Sequence, residues 1–262
     1  MEKVLGATRS RCSSDGGAPI RGVLLDAGNT LVFVDSRRVV PVLLAAGADA
    51  AEALYHEAER DARLVLSLAR GQGVTGHEDQ FWRDYFGTIL RRVGVPDARK
   101  AQVSETLRRM HLEDHLWTHV QEGTVDALVR LREMQCRLGV VSNADGRVEA
   151  LLHRLGLAEL VDFVIDSHVV GVSKPDPSIF RMGSDRLGLE PEECLYVGDL
   201  YEIDVLGARA AGLQPLLLDP FGRLAQWDDV ERIASVAELP EWLASRVSRG
   251  RPGQGDGTPG GG

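Results

Sequence analysis

Lysine is scarce in this chain: of its 30 Lys and Arg residues only Lys3, Lys100 and Lys174 are lysines, so a lysine at a reactive place stands out. Cysteine is scarce too. Cys12, Cys136 and Cys194 are odd in number and far apart, with no Cys-x-x-Cys pair and no Cys/His ligand spacing. That argues against a disulfide framework or a zinc site and for a reducing, cytoplasmic setting. Long apolar runs are missing. The longest nearly apolar stretch, Val39 to Ala46, is far shorter than the ~20 residues a membrane-spanning helix needs. No signal-peptide h-region opens the chain. Positive charge is also in deficit, with a net charge of −9. Nucleic acid needs clustered cations, so neither nucleic acid nor membrane is an expected partner. What remains is an ordinary globular balance, 44% hydrophobic and 26% charged over 262 residues. That length suits one α/β core carrying an inserted subdomain.

Residues 1–19 are Ser/Gly-rich and without periodicity, and read as a flexible leader. Residues 248–262 are almost all Gly, Pro and polar, and read as a disordered tail. Gly22-Val-Leu-Leu-Asp26 is a short apolar run ending in a carboxylate, which predicts a strand. From Ser36 to about His119 the period changes. Apolar residues recur at helical spacing in Ala51–Leu68, Gln80–Val93 and Ala101–Leu112, with Gly71, Gly73, Gly94 and Pro96 between them. No strand is expected in that block. From Gln121 onward strands (Arg137–Val141, Val161–Ile165, Cys194–Val197, Pro215–Leu218) alternate with helices. This predicts a parallel sheet covered on both faces, interrupted after its first strand by the helical block. The expected division is a core of residues 20–35 plus 120–247 and an inserted α-helical cap of residues 36–119.

Ligands in such folds bind outside the carboxyl ends of the strands. Four strand ends there carry reactive residues. Asp26-Ala27-Gly28-Asn29-Thr30 places a carboxylate on a tight turn, where it can be a nucleophile or a metal ligand. Ser142-Asn143-Ala144-Asp145-Gly146 precedes a helix and suits an anion, or simply caps that helix. Lys174 lies between a glycine and two prolines, a rigid setting for neutralising a phosphate or carboxylate. Asp199 ends the strand Cys194-Leu-Tyr-Val-Gly and Asp204 follows it; paired carboxylates suggest a hard cation such as Mg²⁺, or first-turn acids favoured by a helix dipole. Together the four ends fit phosphoryl transfer through a carboxylate nucleophile.

The motifs DAGNT, VVSN, GVSKPDPSIF and YVGDLYEIDVLGARAAGL, in this order, resemble those of the haloacid dehalogenase-like hydrolase superfamily over residues 20 to 246. The resemblance implies a three-layer, Rossmann-like parallel-sheet core with an inserted all-α cap. It implies a Mg²⁺-dependent hydrolase of a small phosphorylated metabolite, with Asp26 as the nucleophile that forms an aspartyl-phosphate and Lys174 as its neutralising partner. Thr30, Ser142 and Asn143 would orient or contact the phosphoryl group. Asp26, Asp199 and the backbone carbonyl of Gly28 would hold the metal, with Asp204 in support. The chain departs from the phosphatase pattern at Gly28, where relatives carry a second Asp as general acid and base; Asp145 is the nearby acid that would substitute. Ile203, where relatives often have a polar residue, is a smaller departure. A missing second Asp also occurs in dehalogenases, so a 2-haloacid dehalogenase is the alternative, and a catalytically impaired phosphate-binding protein is another. Phosphonatases use a cap lysine; here Lys100 is the only one, late in the cap. Tyr55, His56, Trp82, Tyr85 and Trp117 are expected as core rather than pocket, and His111, His115 and His119 as a solvated hinge.

Overall fold

The computed structural model describes residues 18–49, 52–70 and 78–249. Most of the expected leader, the tail from residue 250, and Gly71 and Gly73 lie outside them. Strand β1 (Gly22–Leu25) is followed by β2 (Phe33–Val34) and by four helices, α1 (Ser36–Ala45), α2 (Glu52–Arg70), α3 (Glu78–Arg92) and α4 (Asp97–Glu113). A short strand, β3 (Trp117–His119), closes this block. Then come α5 (Thr124–Glu133), β4 (Arg137–Ser142), α6 (Val148–Arg154), β5 (Phe163–Asp166), α7 (Ser167–Val170) and α8 (Pro177–Leu187). The chain continues through β6 (Cys194–Gly198), α9 (Leu206–Ala211), β7 (Gln214–Leu218), β8 (Arg232–Ile233) and α10 (Leu239–Arg249).

Six strands form one sheet in the order β5-β4-β1-β6-β7-β8, with every pairing parallel. β1 is buried along its whole length, as a central strand covered on both faces must be. Its side chains alternate between two cores. Val23 and Leu25 pack with Leu128 of α5, Leu152 of α6 and Leu239 of α10. Leu24 packs on the opposite face with Phe180 of α8 and Ala208 of α9. The result is the three-layer α/β/α arrangement expected of a Rossmann-like core.

The helical block differs from expectation at both ends. Trp117–His119 is a strand, which pairs antiparallel with β2 (Phe33 opposite His119, Val34 opposite Trp117). Two or three residues are too few to show a period of two, so the ribbon leaves no pattern in the sequence. α1 was legible only as the apolar run around Val39, because Pro41 inside it removes a helical donor. Asp35 compensates at its N-cap, accepting the Arg37 backbone N–H at 3.0 Å. Of the rings expected as core, Tyr55, Trp82, Tyr85 and Trp117 are at most 6% exposed, but His56 is not: one residue from Tyr55, it points off the buried face of α2 and is exposed beside Glu52.

Candidate active site

The carboxyl ends of β1, β4 and β6 meet at one edge of the sheet. Asp26 continues β1, its N–H donating to the Val197 carbonyl at 2.9 Å. The chain then turns sharply: the N–H groups of Leu31 and Val32 both donate to the Ala27 carbonyl, and Asn29 takes the left-handed conformation (φ 58°) that Asn tolerates. Across the edge, Asn143 clamps the main chain of Lys174. Its Oδ1 accepts the Lys174 N–H at 2.8 Å and its Nδ2 donates to the Lys174 carbonyl at 2.9 Å. Asn143 thus fixes where the lysine stands, while Ser142 ends β4, buried beside it.

Lys174 Nζ donates to Asp26 Oδ1 at 2.7 Å, to Asp204 Oδ1 at 2.7 Å and to the Tyr196 hydroxyl at 2.8 Å, all inside the protein. Burial works against its charge, but Asp204 and Asp26 outweigh that and hold its pKa above the ordinary value. Tyr196 donates onward to the Val141 carbonyl at 2.9 Å, so it is free to accept from the lysine. Sequence reasoning missed Tyr196; the signal available was a single polar tip in an otherwise apolar strand. Asp204 sits in a π-turn over Tyr201–Val205, the kind of irregular turn that clusters at functional sites. Its second oxygen accepts the Leu200 N–H at 2.9 Å. Gly198 is required beneath it, since a Cβ there would come within 2.4 Å of the Asp204 carboxyl carbon.

Asp199 completes a group of three buried acids. Asp26, Asp199 and Asp204 each offer a carboxylate oxygen, all within 4.8 Å of one another. Burial pushes the Asp199 carboxyl up to about 8, with the charges of Asp204 and Asp26 adding to the shift and Arg63 opposing it. Burial, offset in part by Lys174, raises Asp26 as well. Three carboxylates with one lysine among them are short of positive charge, and an all-oxygen donor set is what a hard divalent cation takes. The residues therefore fit a metal of the Mg²⁺ type.

A consequence can be measured. An acid whose folded pKa lies above its unfolded value is penalised once ionised, so metal-free stability should fall as pH rises from about 4 through about 8. Asp199→Asn should remove the Asp199 share of that fall, leaving that of Asp26, and melt higher than wild type at pH 8 in EDTA. Wild type should gain ~2.7 kcal/mol from Mg²⁺ at a hundred times its dissociation constant, and the variant much less. Thermal melts with EDTA and with Mg²⁺ check both; equal metal stabilisation in the two proteins would remove Asp199 from the metal site.

Around position 28 the site is open. A Cβ built on Gly28 meets nothing nearer than Trp117 Nε1, at 3.9 Å. Trp117, from β3, donates that Nε1–H to Asn29 Oδ1 at 3.1 Å and so ties the helical block to the Asp26 turn. The Thr30 hydroxyl is buried without a partner among the described residues, a polar group left for a ligand. Asp145 is a poor proton donor. Burial works against its charge, but His111 and Arg147 hold its carboxyl well below the usual range. Its Oδ2 accepts from Arg147 Nε at 2.9 Å and faces His111 Nε2 at 3.6 Å.

The histidines correct an expectation. His111 is 6% exposed rather than solvated, because the rings of Trp82 and Trp117 lie 5.4 Å from its own. His115 stands against it, 4.2 Å between ring centres, and burial, reinforced by His111, pushes it down to about 3. His111, His115 and Asp145 have the proximity of a metal site. Yet both Nδ1 atoms accept backbone N–H groups at 3.3 Å, from Leu116 and Trp117. That assigns the proton to Nε2 of each ring and leaves no lone pair there for a cation.

Comparison with known proteins agrees with this fold. Over 148 residues the chain is 39% identical to "haloacid dehalogenase-like hydrolase domain-containing protein 3" of Mus musculus, 56% of this chain and 58% of that protein. Over 149 residues it is 33% identical to the glyceraldehyde 3-phosphate phosphatase of Methanopyrus kandleri, 56% of this chain and 61% of that one. The match thus spans less than two thirds of either relative. Among solved structures, the HAD-hydrolase YfnB from Bacillus subtilis bound to magnesium has a TM-score of 0.63 at 20% identity, covering 86% of this chain and 99% of that one. The family model of haloacid dehalogenase-like hydrolases matches residues 20–212, a span that holds the parallel sheet up to β6 and all the acids and the lysine just described, and the chain belongs to that family.

Proposed function

We propose that the chain is a Mg²⁺-dependent phosphomonoesterase of small phosphorylated metabolites, working through Asp26 in a cytoplasmic setting. The observation that carries this reading is the single lysine bridging Asp26 and Asp204 beside a third buried acid. Lys174 grips Asp26 Oδ1, which leaves Oδ2 to attack phosphorus. The new Oδ2–P bond forms as the ester O–P bond breaks, and the alkoxide or phenolate leaves, taking its proton from solvent because position 28 offers no acid. Water then attacks the aspartyl-phosphate, releasing phosphate and restoring Asp26. Thr30 and Ser142 hydroxyls are placed in this reading to hold phosphoryl oxygens, and Asn143 keeps Lys174 in register. A Mg²⁺ ion held by Asp26, Asp199 and the Gly28 carbonyl, with Asp204 in support, would supply charge neutralisation for the transferring group. Residues 36–119 act as a cap that excludes water, over a core of 20–35 and 120–247. The Methanopyrus relative's phosphatase name supports a phosphate ester over a haloacid. No helix among the described residues is long and apolar enough to cross a membrane, and the three acids call for a cation that a haloacid reaction does not need.

The test is hydrolysis of p-nitrophenyl phosphate with Mg²⁺ and with EDTA. Phenolate leaves without a proton, so the lack of an acid at position 28 matters least there. Turnover that requires Mg²⁺ is expected. Halide release from 2-haloacids, with no phosphate release from any ester, would overturn the reading in favour of dehalogenation.

A further inference from the structure

Two arginines of the helical block approach this site, and the mechanism above uses neither. Arg60 and Arg63 stand three residues apart on α2 and so share a face of the helix. Arg63 is 6% exposed, and its Nη2 donates to the Asn29 carbonyl at 3.2 Å, three residues from the nucleophile. Its guanidinium lies 4.9 Å from the ring centre of Phe33 and 5.5 Å from that of Phe221; Arg60 lies 5.6 Å from the Phe221 ring. The Nε atoms of both arginines are buried with no hydrogen-bond partner among the described residues. Both line a small cavity that also touches Asp199, Phe221 and Arg223.

The acids nearby are largely spoken for. Asp61 takes Arg223 at 2.7 Å. Asp219 accepts the backbone N–H groups of Arg223 and Leu224 at 3.0 and 2.9 Å. Glu59 accepts the Tyr85 hydroxyl at 3.0 Å and faces His56 at 3.8 Å, so its charge is shared between them and Arg63. Arg60 has Glu57 at 3.7 Å on the exposed side. Asp199 faces the charge of Arg63, but Asp199 is committed once a cation sits among the three acids. Arg63 is then a buried, oriented guanidinium with unused donors, in a cleft whose other charges are matched. Buried donors in that condition are costly unless a ligand completes them.

We propose that Arg63, supported by Arg60, binds a second anionic group of the substrate, which makes the substrate class a short phosphate ester that also carries a carboxylate or a second phosphate. This deepens the phosphatase reading and rests on it. A guanidinium fork, planar by its own resonance, matches either anion in bidentate fashion, and the rings of Phe33 and Phe221 hold it in place. The skeleton is short because Arg63 is hydrogen-bonded to the nucleophile turn itself. An ester with a neutral end, such as an aldehyde or alcohol, leaves the donors of Arg63 unmatched.

The full chain with Mg²⁺ is titrated by calorimetry with 3-phosphonopropionate, propane-1,3-diphosphonate and the neutral-ended propylphosphonate. Hydrolysis of 3-phosphoglycerate and glycerol 3-phosphate is followed in parallel. Wild type should bind one of the doubly anionic ligands at least about tenfold tighter than propylphosphonate, and which one identifies the second group. Arg63→Met should abolish the preference and Arg63→Lys should restore part of it; circular dichroism reports whether each is folded. No binding, or equal binding of all three ligands by wild type, overturns the proposal whether or not the variants fold. Where the carboxylate ligand is the one preferred in binding, equal kcat/KM on the two esters also overturns it and leaves the phosphatase reading standing. An Arg63-dependent preference in binding, with no ester hydrolysed, sinks the phosphatase reading and keeps the anion site.

Discussion

Asp26→Asn should lower phosphate release from every ester by about 10⁴-fold or more, the scale seen when a catalytic nucleophile or its partner is removed. Asparagine keeps the shape of the side chain and loses the attacking oxygen charge. The variant should remain folded, which makes the loss interpretable. Asp26 is a buried carboxylate whose ionisation is opposed by burial and by Asp204, so neutralising it relieves repulsion as it removes one bond to Lys174. Asp204 continues to satisfy the lysine at 2.7 Å. The same experiment on Lys174 would confuse catalysis with stability, because it would strand two buried carboxylates, and breaking a buried pair costs about 3–5 kcal/mol. Activity on p-nitrophenyl phosphate and a thermal melt of each protein decide the matter. Retained turnover in a folded Asp26→Asn would mean that another group attacks phosphorus.

Much of this site was legible because its residues sit at the ends of apolar runs. β1, β4 and β6 are short, almost wholly buried strands, and the polar residue that ends each one stands out against them. Chain order then suggested a common sheet edge, which the parallel pairing of β4, β1 and β6 supplies. What stayed hidden depends on partners distant in sequence. Tyr196 matters through Val141 and Lys174, neither of which its own strand reveals. Arg63 is one charge among several on α2, and helical spacing alone reads it as solvated; its burial comes from Phe33 and Phe221, at opposite ends of the chain. His111 misled for the same reason, since Trp82 and Trp117 cover it. β8 is only Arg232–Ile233, with Val236 already in the turn that follows, and it left no signal in the sequence. At a sheet edge two paired residues suffice, and no pattern of two residues can be recognised.

Gly28→Asp should raise hydrolysis of alkyl phosphates about 10²–10⁴-fold, the usual contribution of a positioned general acid and base. The position accepts the side chain. Gly28 does not use a left-handed conformation, and its Cβ would have only the indole of Trp117 in ordinary contact, at 3.9 Å. The new carboxyl would extend from the same turn as Asp26, two residues on. There it can protonate a departing alkoxide, then take a proton from the water that attacks the aspartyl-phosphate. Asp145, the nearby acid the sequence offered, does this poorly, since Arg147 and His111 hold it ionised. The neighbouring Trp117 N–H is already given to Asn29, so it should not trap the new carboxyl in its charged form. Leaving groups separate this effect from a general gain in binding or folding. An alkoxide needs the proton and a nitrophenolate does not, so the ratio of alkyl to aryl turnover should rise along with the alkyl rate. A higher rate on both esters in equal measure would point to better assembly of the metal site. An unchanged ratio and unchanged rates would mean that the wild-type chain already obtains its proton elsewhere, and the glycine would then no longer mark a missing catalytic group.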